Sequence, residues 1–341
     1  MDKLRAVLVG CGGISHGWLQ ALESLDSVEI VGLVDIVREN AQQRAAEFGL
    51  EGALITDDLD AALAQTKPDA VFNCTVPEAH HDVTMHALAS GCHVLTEKPL
   101  AMSLESASEM IRAAKQADRT LAVIQNRRYH PALRRLRHLI EAGHIGSVTT
   151  ADSDFYIGAH FGGFRDRMEH VLLLDMAIHT FDAARLITGE DPLAVYCVEW
   201  NPVGSWYDQD ASAVAVFEMT NGVIYTYRGS WCAEGLNTSW ESAWRIVGSN
   251  GTATWDGNDL VAGEKVARVG GFFSEHDPVD VSGHDPGLKV GGHAGVIREF
   301  ASCVQAGEVP ETAASDNIKS LAMVLGAIQS AQEGRRIEIQ V

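Results

Sequence analysis

The feature that most constrains the fold is an alternation of short apolar runs with amphipathic stretches in the first third of the chain. The runs are apolar along their whole length, whereas apolar residues recur every three or four positions in the stretches between them. Strands without a polar face are covered on both sides, and intervening helices indicate a parallel sheet. We therefore predict a doubly wound α/β domain over residues 1–125. Its strands are expected at Leu4–Val9, Val28–Val34, Ala70–Cys74, His93–Thr96 and Leu121–Ile124, and helices at Glu39–Phe48, His81–Ala89 and Leu104–Ala117.

The pattern changes after residue 125. Two helices, Pro131–Glu141 and about Leu172–Ile187, flank a strand at Ser147–Ile157, and consecutive β patterns follow them. Asn221-Gly222 and Asn250-Gly251 lie between such strands and match the two-residue type I′ hairpin signature. Strands joined by hairpins form an antiparallel sheet, so residues 126–341 are predicted to be an α+β domain. Its later strands are expected at Ala194–Trp200, Ala211–Met219, Val223–Trp231, Ser242–Val247, Thr252–Trp255 and Lys265–Val269.

The C-terminal part of the chain contains a loop and two helices. Glycine, aspartate and proline mark Gly283–Gly292 as a loop, and helices are expected at about Ala294–Ala306 and Ser315–Glu333, before a short last strand. We expect these helices to pack back on the first domain. A length of 341 residues suits two domains.

Composition excludes several classes of function. The formal net charge is −20, so nucleic acid and anionic membranes are poor partners. The six cysteines form no Cys-x-x-Cys pair, which argues against zinc ribbons, redox pairs and iron–sulfur runs. No set of histidine and acidic residues has metal-ligand spacing, so no metal site is predicted. The first apolar run meets glycines at once, which is typical of neither a signal peptide nor a membrane span, and we expect a cytoplasmic protein.

A glycine-rich turn follows the first predicted strand and opens a helix. Residues 10–15 are Gly-Cys-Gly-Gly-Ile-Ser, in which Gly10 permits a tight turn and Gly12 lets a phosphate approach the backbone. Ser15 stands where the third glycine of the dinucleotide-binding motif would be and is expected to fit close helix packing less well. Asp35 ends the second strand about 20 residues later, where a carboxylate binds the ribose hydroxyls. It also repels a 2′-phosphate, so NAD is favoured over NADP, with nearby Arg38 acting in the opposite direction.

Two further segments carry groups suited to catalysis. Lys98 follows the fourth predicted strand and precedes Pro99, at the edge where ligands of open α/β sheets bind, although a solvated surface lysine is equally compatible. Asp175 and His179 lie four residues apart on one helix face, with Asp182 three residues further. A single histidine in such an apolar helix is usually a core residue. With acidic neighbours on both sides, His179 is a better candidate for acid/base chemistry.

Together these segments resemble the Gfo/Idh/MocA oxidoreductases, the family of glucose-fructose oxidoreductase and inositol 2-dehydrogenase. The resemblance rests on Gly-x-Gly-Gly-Ile, Asp35, Glu97-Lys98-Pro99, Gln125–Tyr129 and Asp175-x-x-x-His179, and it covers nearly the whole chain. It implies an α/β Rossmann domain followed by an α+β domain with a large, open, mostly antiparallel sheet. It also implies a nicotinamide cofactor and the oxidation or reduction of a sugar or cyclitol carbon.

The resemblance also assigns residues. Many members have a glycine-rich run before the catalytic aspartate, where this chain has Met168–Leu174, so substrate identity is not carried over. Arg165 and His160 either contact a polyol or carboxylate substrate or are solvated loop residues, and Tyr129 is a further substrate candidate. By the resemblance, the catalytic residues are Lys98, Asp175 and His179, and the cofactor-binding residues are Gly10, Gly12, Gly13, Ile14, Asp35, Thr75, His80, Glu97, Lys98 and Asn126.

The sequence thus predicts an NAD(P)-dependent dehydrogenase that moves a hydride between nicotinamide and a secondary carbinol of a sugar, sugar derivative or cyclitol. Two alternatives remain: a non-catalytic NAD- and sugar-binding regulatory protein, and a glycoside hydrolase or epimerase that retains its NAD. We expect a homo-oligomer, a dimer or tetramer, that pairs through the open face of the second sheet. Trp240 and Trp244 are expected on one face of a strand, in sheet packing, at a subunit interface or against a sugar ring.

Overall fold

The computed structural model describes residues 3–282 and 287–341. The chain divides into two compact units. The first ends its main segment at Asn126 and also contains Leu288–Leu321, whereas the second begins at Arg127 and contains Ala322–Val341. Most of the C-terminal segment that we assigned to the second domain therefore clusters with the first unit.

The first unit contains the predicted parallel sheet. All five strand pairings are parallel, in the order β3-β2-β1-β4-β5-β6. The order reverses between β1 and β4, which is where ligands bind in sheets of this type. The strands, numbered along the chain, are β1 Leu4–Val9, β2 Val28–Val34, β3 Leu54–Thr56, β4 Ala70–Asn73, β5 His93–Thr96 and β6 Leu121–Val123. Its helices are α1 Gly13–Leu22, α2 Arg38–Glu47, α3 Leu59–Thr66, α4 His80–Ala89, α5 Leu104–Ala117 and α8 His293–Ala306.

The second unit contains the predicted α+β arrangement, built on a nine-stranded sheet. Its strand order is β14-β13-β12-β11-β7-β10-β9-β8-β15, and every pair is antiparallel except β7 with β10. That pair is parallel because the chain leaves the sheet after β7 and passes through a helix before it returns. The strands are β7 Val148–Tyr156, β8 Pro192–Trp200, β9 Ser212–Met219, β10 Ile224–Ser230, β11 Ala243–Gly248, β12 Gly251–Trp255, β13 Val261–Arg268, β14 Glu275–Pro278 and β15 Ile337–Glu338, and the helices are α6 Pro131–Glu141, α7 Ile178–Thr188 and α9 Ala314–Glu333, which begins in the first unit.

One of the two predicted hairpin turns has the predicted form. Asn221 and Gly222 have φ values of 55° and 76°, and the Val223 N–H donates to the Thr220 carbonyl at 3.3 Å, as in a type I′ turn. The predicted type I′ turn at Asn250-Gly251 is wrong, because neither residue has positive φ. The hairpin itself is present: Gly248 pairs with Gly251, the first residue of β12, so the turn residues are Ser249 and Asn250. A Cβ at Gly251 would lie 2.2 Å from the carbonyl oxygen of Glu264 in β13, so a glycine here lets the two strands approach closely.

Helices cover one face of this sheet, whereas the other face has exposed apolar side chains. One face packs against α6, α7 and the end of α9 in a core that includes Phe181, Phe217 and Tyr225. The prediction that Trp240 and Trp244 share a strand face is wrong, because Trp244 is buried in β11 whereas Trp240 precedes that strand and is half-exposed. The other face, which we call the open face, presents exposed apolar side chains at Tyr196, Val198, Trp200, Val216 and Ile224.

Among the residues that the structure describes, no helix is both long and apolar enough to cross a membrane. The predicted loop at Gly283–Gly292 lies partly outside the described residues, which resume at residue 287 and lead into α8. All six cysteines are free thiols, and five of them are buried.

Candidate functional site

The glycine-rich turn leaves backbone N–H groups available at the start of α1. Gly10 has φ of +88°, and a Cβ there would lie 2.6 Å from the Cys74 carbonyl oxygen, so only glycine passes this close to the end of β4. No side chain caps the helix at Gly12, and a Cβ on Gly12 or Gly13 would meet nothing within 4 Å. Uncapped N–H groups beside open space fit an anion such as a dinucleotide pyrophosphate.

Ser15 fits its position better than the sequence predicted. Its side chain is fully buried, and its hydroxyl donates to the Gly12 carbonyl at 2.6 Å. Arg44 of α2 donates through Nε to the Ser15 hydroxyl and through Nη2 to the Gly12 carbonyl, both at 3.1 Å. The serine therefore joins the turn to α2 through hydrogen bonds that a third glycine lacks.

Asp35 connects the end of β2 to the same turn. Its Oδ2 accepts from the Cys11 N–H at 2.7 Å, and its Oδ1 accepts from the Val37 N–H at 2.8 Å and from Asn40 Nδ2 at 3.2 Å. A carboxylate accepts about four hydrogen bonds, so one position is left for a ribose hydroxyl. The Arg38 guanidinium would favour a 2′-phosphate, but its Nη2 donates to the Ile55 carbonyl at 3.2 Å. One of its donors is therefore already engaged.

Lys98 lies beyond β5 with its main chain fixed by a buried carboxylate. The indole N–H of Trp18 on α1 donates to Glu97 Oε1 at 2.6 Å, and Glu97 Oε2 accepts the Lys98 backbone N–H at 3.0 Å. Both Trp18 and Glu97 are buried, so these hydrogen bonds do not compete with water. Sequence reasoning did not find Trp18, because its partner lies 79 residues away and leaves no local signal.

His80 secures the chain on the other side of Lys98. The ring Nδ1 lies 2.7 Å from the Pro99 carbonyl oxygen, and Nε2 lies 3.1 Å from that of Thr75. Carbonyl oxygens only accept, so a neutral ring donates to one of them at a time. Burial lowers the pKa of His80, which favours the neutral ring. The ring has no exposed surface, which fits a role in positioning the backbone around Lys98, and its predicted contact with the cofactor stays a prediction.

The remaining predicted cofactor residues of the first unit lie at or near the carboxyl ends of its strands. The Thr75 hydroxyl donates to Asn73 Oδ1 at 2.6 Å just after β4. Asn126 follows β6, and its Nδ2 lies 3.2 Å from Nδ1 of His293, the first residue of α8. His293 is a second residue that sequence reasoning missed, since α8 lies far away in the chain. Ile14, in the first turn of α1, is nearly half exposed.

In the second unit, Asp175 lies in a π-helical segment. The predicted helix is continuous, but Leu172–Ala177 is π-helical and α7 starts at Ile178 with His179 as its second residue. Such segments are rare and are frequent at functional sites. Asp182, three residues after His179, forms a buried pair with Arg128 through oxygen–nitrogen distances of 2.6 and 2.7 Å. Asp182 therefore serves a packed ion pair in the core.

Arg165 binds the predicted catalytic aspartate. Its Nε donates to Asp175 Oδ2 at 2.8 Å, and its Nη2 lies 3.5 Å from Oδ1. The guanidinium also lies over two aromatic rings, with Cζ 4.9 Å from the centre of Phe161 and 4.8 Å from that of Phe164. Two residues predicted separately from the sequence, one for the substrate and one for catalysis, are thus in direct contact.

The other two predicted substrate residues are engaged elsewhere. Tyr129 is fully buried beneath Arg134, whose Cζ lies 5.2 Å from the ring centre, and its contact with a substrate stays a prediction. His160 bonds Glu234 at 2.8 Å and stacks on Trp206 with ring centres 3.7 Å apart. His160 thus belongs to a cluster with Glu234 and Trp206.

Family models match both parts of the chain. Residues 4–125 match a model described as an oxidoreductase family with an NAD-binding Rossmann fold, and residues 133–254 match the Gfo/Idh/MocA C-terminal domain. This chain belongs to the Gfo/Idh/MocA oxidoreductase family. The predicted fold, family and nicotinamide cofactor are confirmed, and so is the predicted class of oxidoreductase.

Several relatives of this Gfo/Idh/MocA chain have been named for their reactions. The 1,5-anhydro-D-fructose reductase of Ensifer adhaerens is 25% identical over 98% of both chains. The myo-inositol 2-dehydrogenase of Thermotoga maritima is 25% identical over 99% of both chains. Among solved structures, an oxidoreductase from Agrobacterium radiobacter in complex with NAD+, L-tartaric acid and magnesium shares the fold, with a TM-score of 0.86, 22% identity and 99% coverage of both chains.

Proposed function

We propose that this Gfo/Idh/MocA protein transfers a hydride between NAD and a secondary carbinol of a sugar, sugar derivative or cyclitol. The observation that carries the proposal is the position of Lys98 at the carboxyl edge of the sheet in an NAD-binding fold. The Lys98 backbone N–H donates to Glu97, and the carbonyl of the next residue, Pro99, contacts His80. Relatives named for a reaction on an anhydro sugar and on a cyclitol support this substrate class.

The residues of the first unit fit the cofactor. The backbone N–H groups after Gly12 would hold the pyrophosphate, and the remaining acceptor position of Asp35 would hold a ribose hydroxyl. When bound, NAD supplies the hydride acceptor. Asp35 also favours NAD over NADP, because its carboxylate would face a 2′-phosphate at close range.

Three side chains carry the chemistry in this proposal. His179 takes the proton of the reacting hydroxyl, and Lys98 stabilises the alkoxide that develops. Asp175 accepts a hydrogen bond from a neighbouring hydroxyl, and Arg165 keeps its carboxylate oriented through the 2.8 Å hydrogen bond. These roles rest on the family resemblance and on the local geometry of each unit.

The test is a screen for NAD reduction against aldoses, alditols, glycosides and inositols. Net NADH production that is lost in Lys98→Ala supports the proposal, and Lys115→Ala, at an exposed position of α5, is the matched control. A regulatory protein would bind NAD and ligand without forming NADH. An NAD-retaining hydrolase or epimerase would convert its substrate while the NADH concentration stays constant. Either of these two outcomes would refute the dehydrogenase proposal.

We also propose a cytoplasmic homo-oligomer that pairs through the open face. Tyr196, Val198 and Val216 are 47%, 47% and 38% exposed on adjacent strands, which is a contiguous apolar surface that a second copy would cover. In the register of the sheet, Tyr196 lies opposite Val216. Light scattering of Val216→Glu at micromolar concentration should show a smaller mass than that of the unmodified protein, and a monomeric unmodified protein would refute the pairing.

A further inference from the structure

The guanidinium of Arg165 has one edge occupied and one edge available. The Nε–Nη2 edge faces Asp175, with the shorter hydrogen bond at 2.8 Å. Within residues 3–282 and 287–341, Nη1 and the outer N–H of Nη2 form no hydrogen bond. These two groups are parallel donors in a plane, which is the arrangement that binds both oxygens of a carboxylate.

The surroundings hold this edge in place without closing it. Phe161 and Phe164 lie against the guanidinium, while the side chain of Arg165 as a whole is 33% exposed. An arginine fixed by an ion pair and two rings has lost rotamer freedom before any ligand binds. Hydrogen bonds from a partly desolvated cation are also stronger than those of a fully solvated one.

We infer that Arg165 selects a substrate that carries a carboxylate beside the hydroxyl bound by Asp175, as in a uronate or an aldonate. The inference rests on the proposed function and deepens it, since it names the acidic members of the sugar class. The free edge would bind the carboxylate, while Asp175 on the other edge binds the neighbouring hydroxyl. The carboxylate itself does not react.

The charge of the chain makes this selection measurable. With a formal net charge of −20, the protein repels anions on average, so an acidic sugar should bind worse than its neutral counterpart unless a local cation attracts it. A hydrogen bond to a charged partner changes binding by on the order of 10- to 100-fold. A preference for the acid over the neutral sugar therefore points to a specific cation such as Arg165.

The experiment compares matched pairs that differ in one group: D-glucuronate with D-glucose, D-galacturonate with D-galactose, and D-gluconate with D-glucitol. We expect kcat/KM to favour the acid in at least one pair by about tenfold or more. Arg165→Gln should abolish the preference for the acid. Arg165→Lys should retain only part of it, because lysine keeps the charge but lacks the two parallel N–H donors of the guanidinium. Arg167→Gln removes an exposed arginine of the same turn and is the matched control, with the ratio unchanged.

Titration of the NAD-loaded protein with the same pairs separates the two proposals. Preferential binding of the acid that depends on Arg165, without any NADH, would support this inference and refute the dehydrogenase. Faster oxidation of the neutral sugar in every pair would overturn the inference. An equal loss of kcat/KM for both members of a pair in Arg165→Gln would also overturn it and leave Arg165 as a positioning residue for Asp175. Absence of both binding and oxidation for all acids would overturn it as well.

Discussion

Replacing Asp182 should destabilise the second unit much more than replacing Asp175, although both carboxylates come from the same helical segment. The Asp182–Arg128 pair has two hydrogen bonds of 2.6 and 2.7 Å, and its side chains are 2% and 6% exposed. Removal of one member of such a pair leaves the other charge buried and costs about 3–5 kcal/mol. The Asp175–Arg165 pair is more exposed, so Asp175→Asn should cost about 1 kcal/mol or less.

Urea unfolding followed by tryptophan fluorescence and circular dichroism measures this difference. Asp182→Val should lower the free energy of unfolding by about 3–5 kcal/mol, and adding Arg128→Met should recover much of it, because the double variant buries no unpaired charge at these two positions. Arg185, whose Nη1 lies 4.0 Å from Asp182, keeps its contact with Asp191 at 3.0 Å. A loss below about 1 kcal/mol in Asp182→Val, or strictly additive losses in the double variant, would show that the pair is not a coupled buried ion pair.

Three further predictions concern individual residues. Trp18→Phe keeps an aromatic side chain but removes the indole hydrogen bond to Glu97, so kcat should fall about tenfold while the Kd for NAD, from fluorescence titration, changes little. Asp35→Ser should narrow the difference between the Kd values for NAD and NADP, and an unchanged difference at fixed salt would contradict the assignment. The Glu199 carboxylate, 2.6 Å from His170, raises the pKa of that histidine, so the folded state retains a proton that the unfolded chain releases near pH ~6.5. The free energy of unfolding should therefore fall as pH rises above about 6.5 through the raised pKa, and His170→Gln should flatten this dependence in urea titrations at several pH values.

Secondary structure was predictable where burial leaves a pattern in the sequence. The strands of the parallel sheet that lie at its centre are almost wholly buried, so they appear as apolar runs. Two strands at sheet edges are not recognisable in this way: Leu54–Thr56 has three half-buried residues, and Glu275–Pro278 is exposed throughout. The first is too short for its pattern to mark a strand, and the second has neither the alternation nor the apolar run of one.

The candidate site was predictable in its residue types but not in its contacts. The glycine turn, Lys98 and His179 belong to local motifs, so the sequence indicates them directly. The contact between Trp18 and Glu97 depends on where the fold places α1 relative to the end of β5, which no local pattern encodes. The π-helical form of the segment around Asp175 likewise has no local signal, because its residues are ordinary helix formers.

We propose that Lys98 and His179 act on one hydroxyl during NAD reduction, and steady-state kinetics with the best substrate of the screen should show whether they do. Lys98→Ala and His179→Ala should each lower kcat by on the order of 100-fold, with the Kd for NAD nearly unchanged. The double variant should be little worse than the worse single variant, since groups that serve one proton transfer are not additive. The rise of kcat/KM with pH should vanish in His179→Ala. A near-normal kcat and an unchanged pH profile in His179→Ala would show that His179 is not the base.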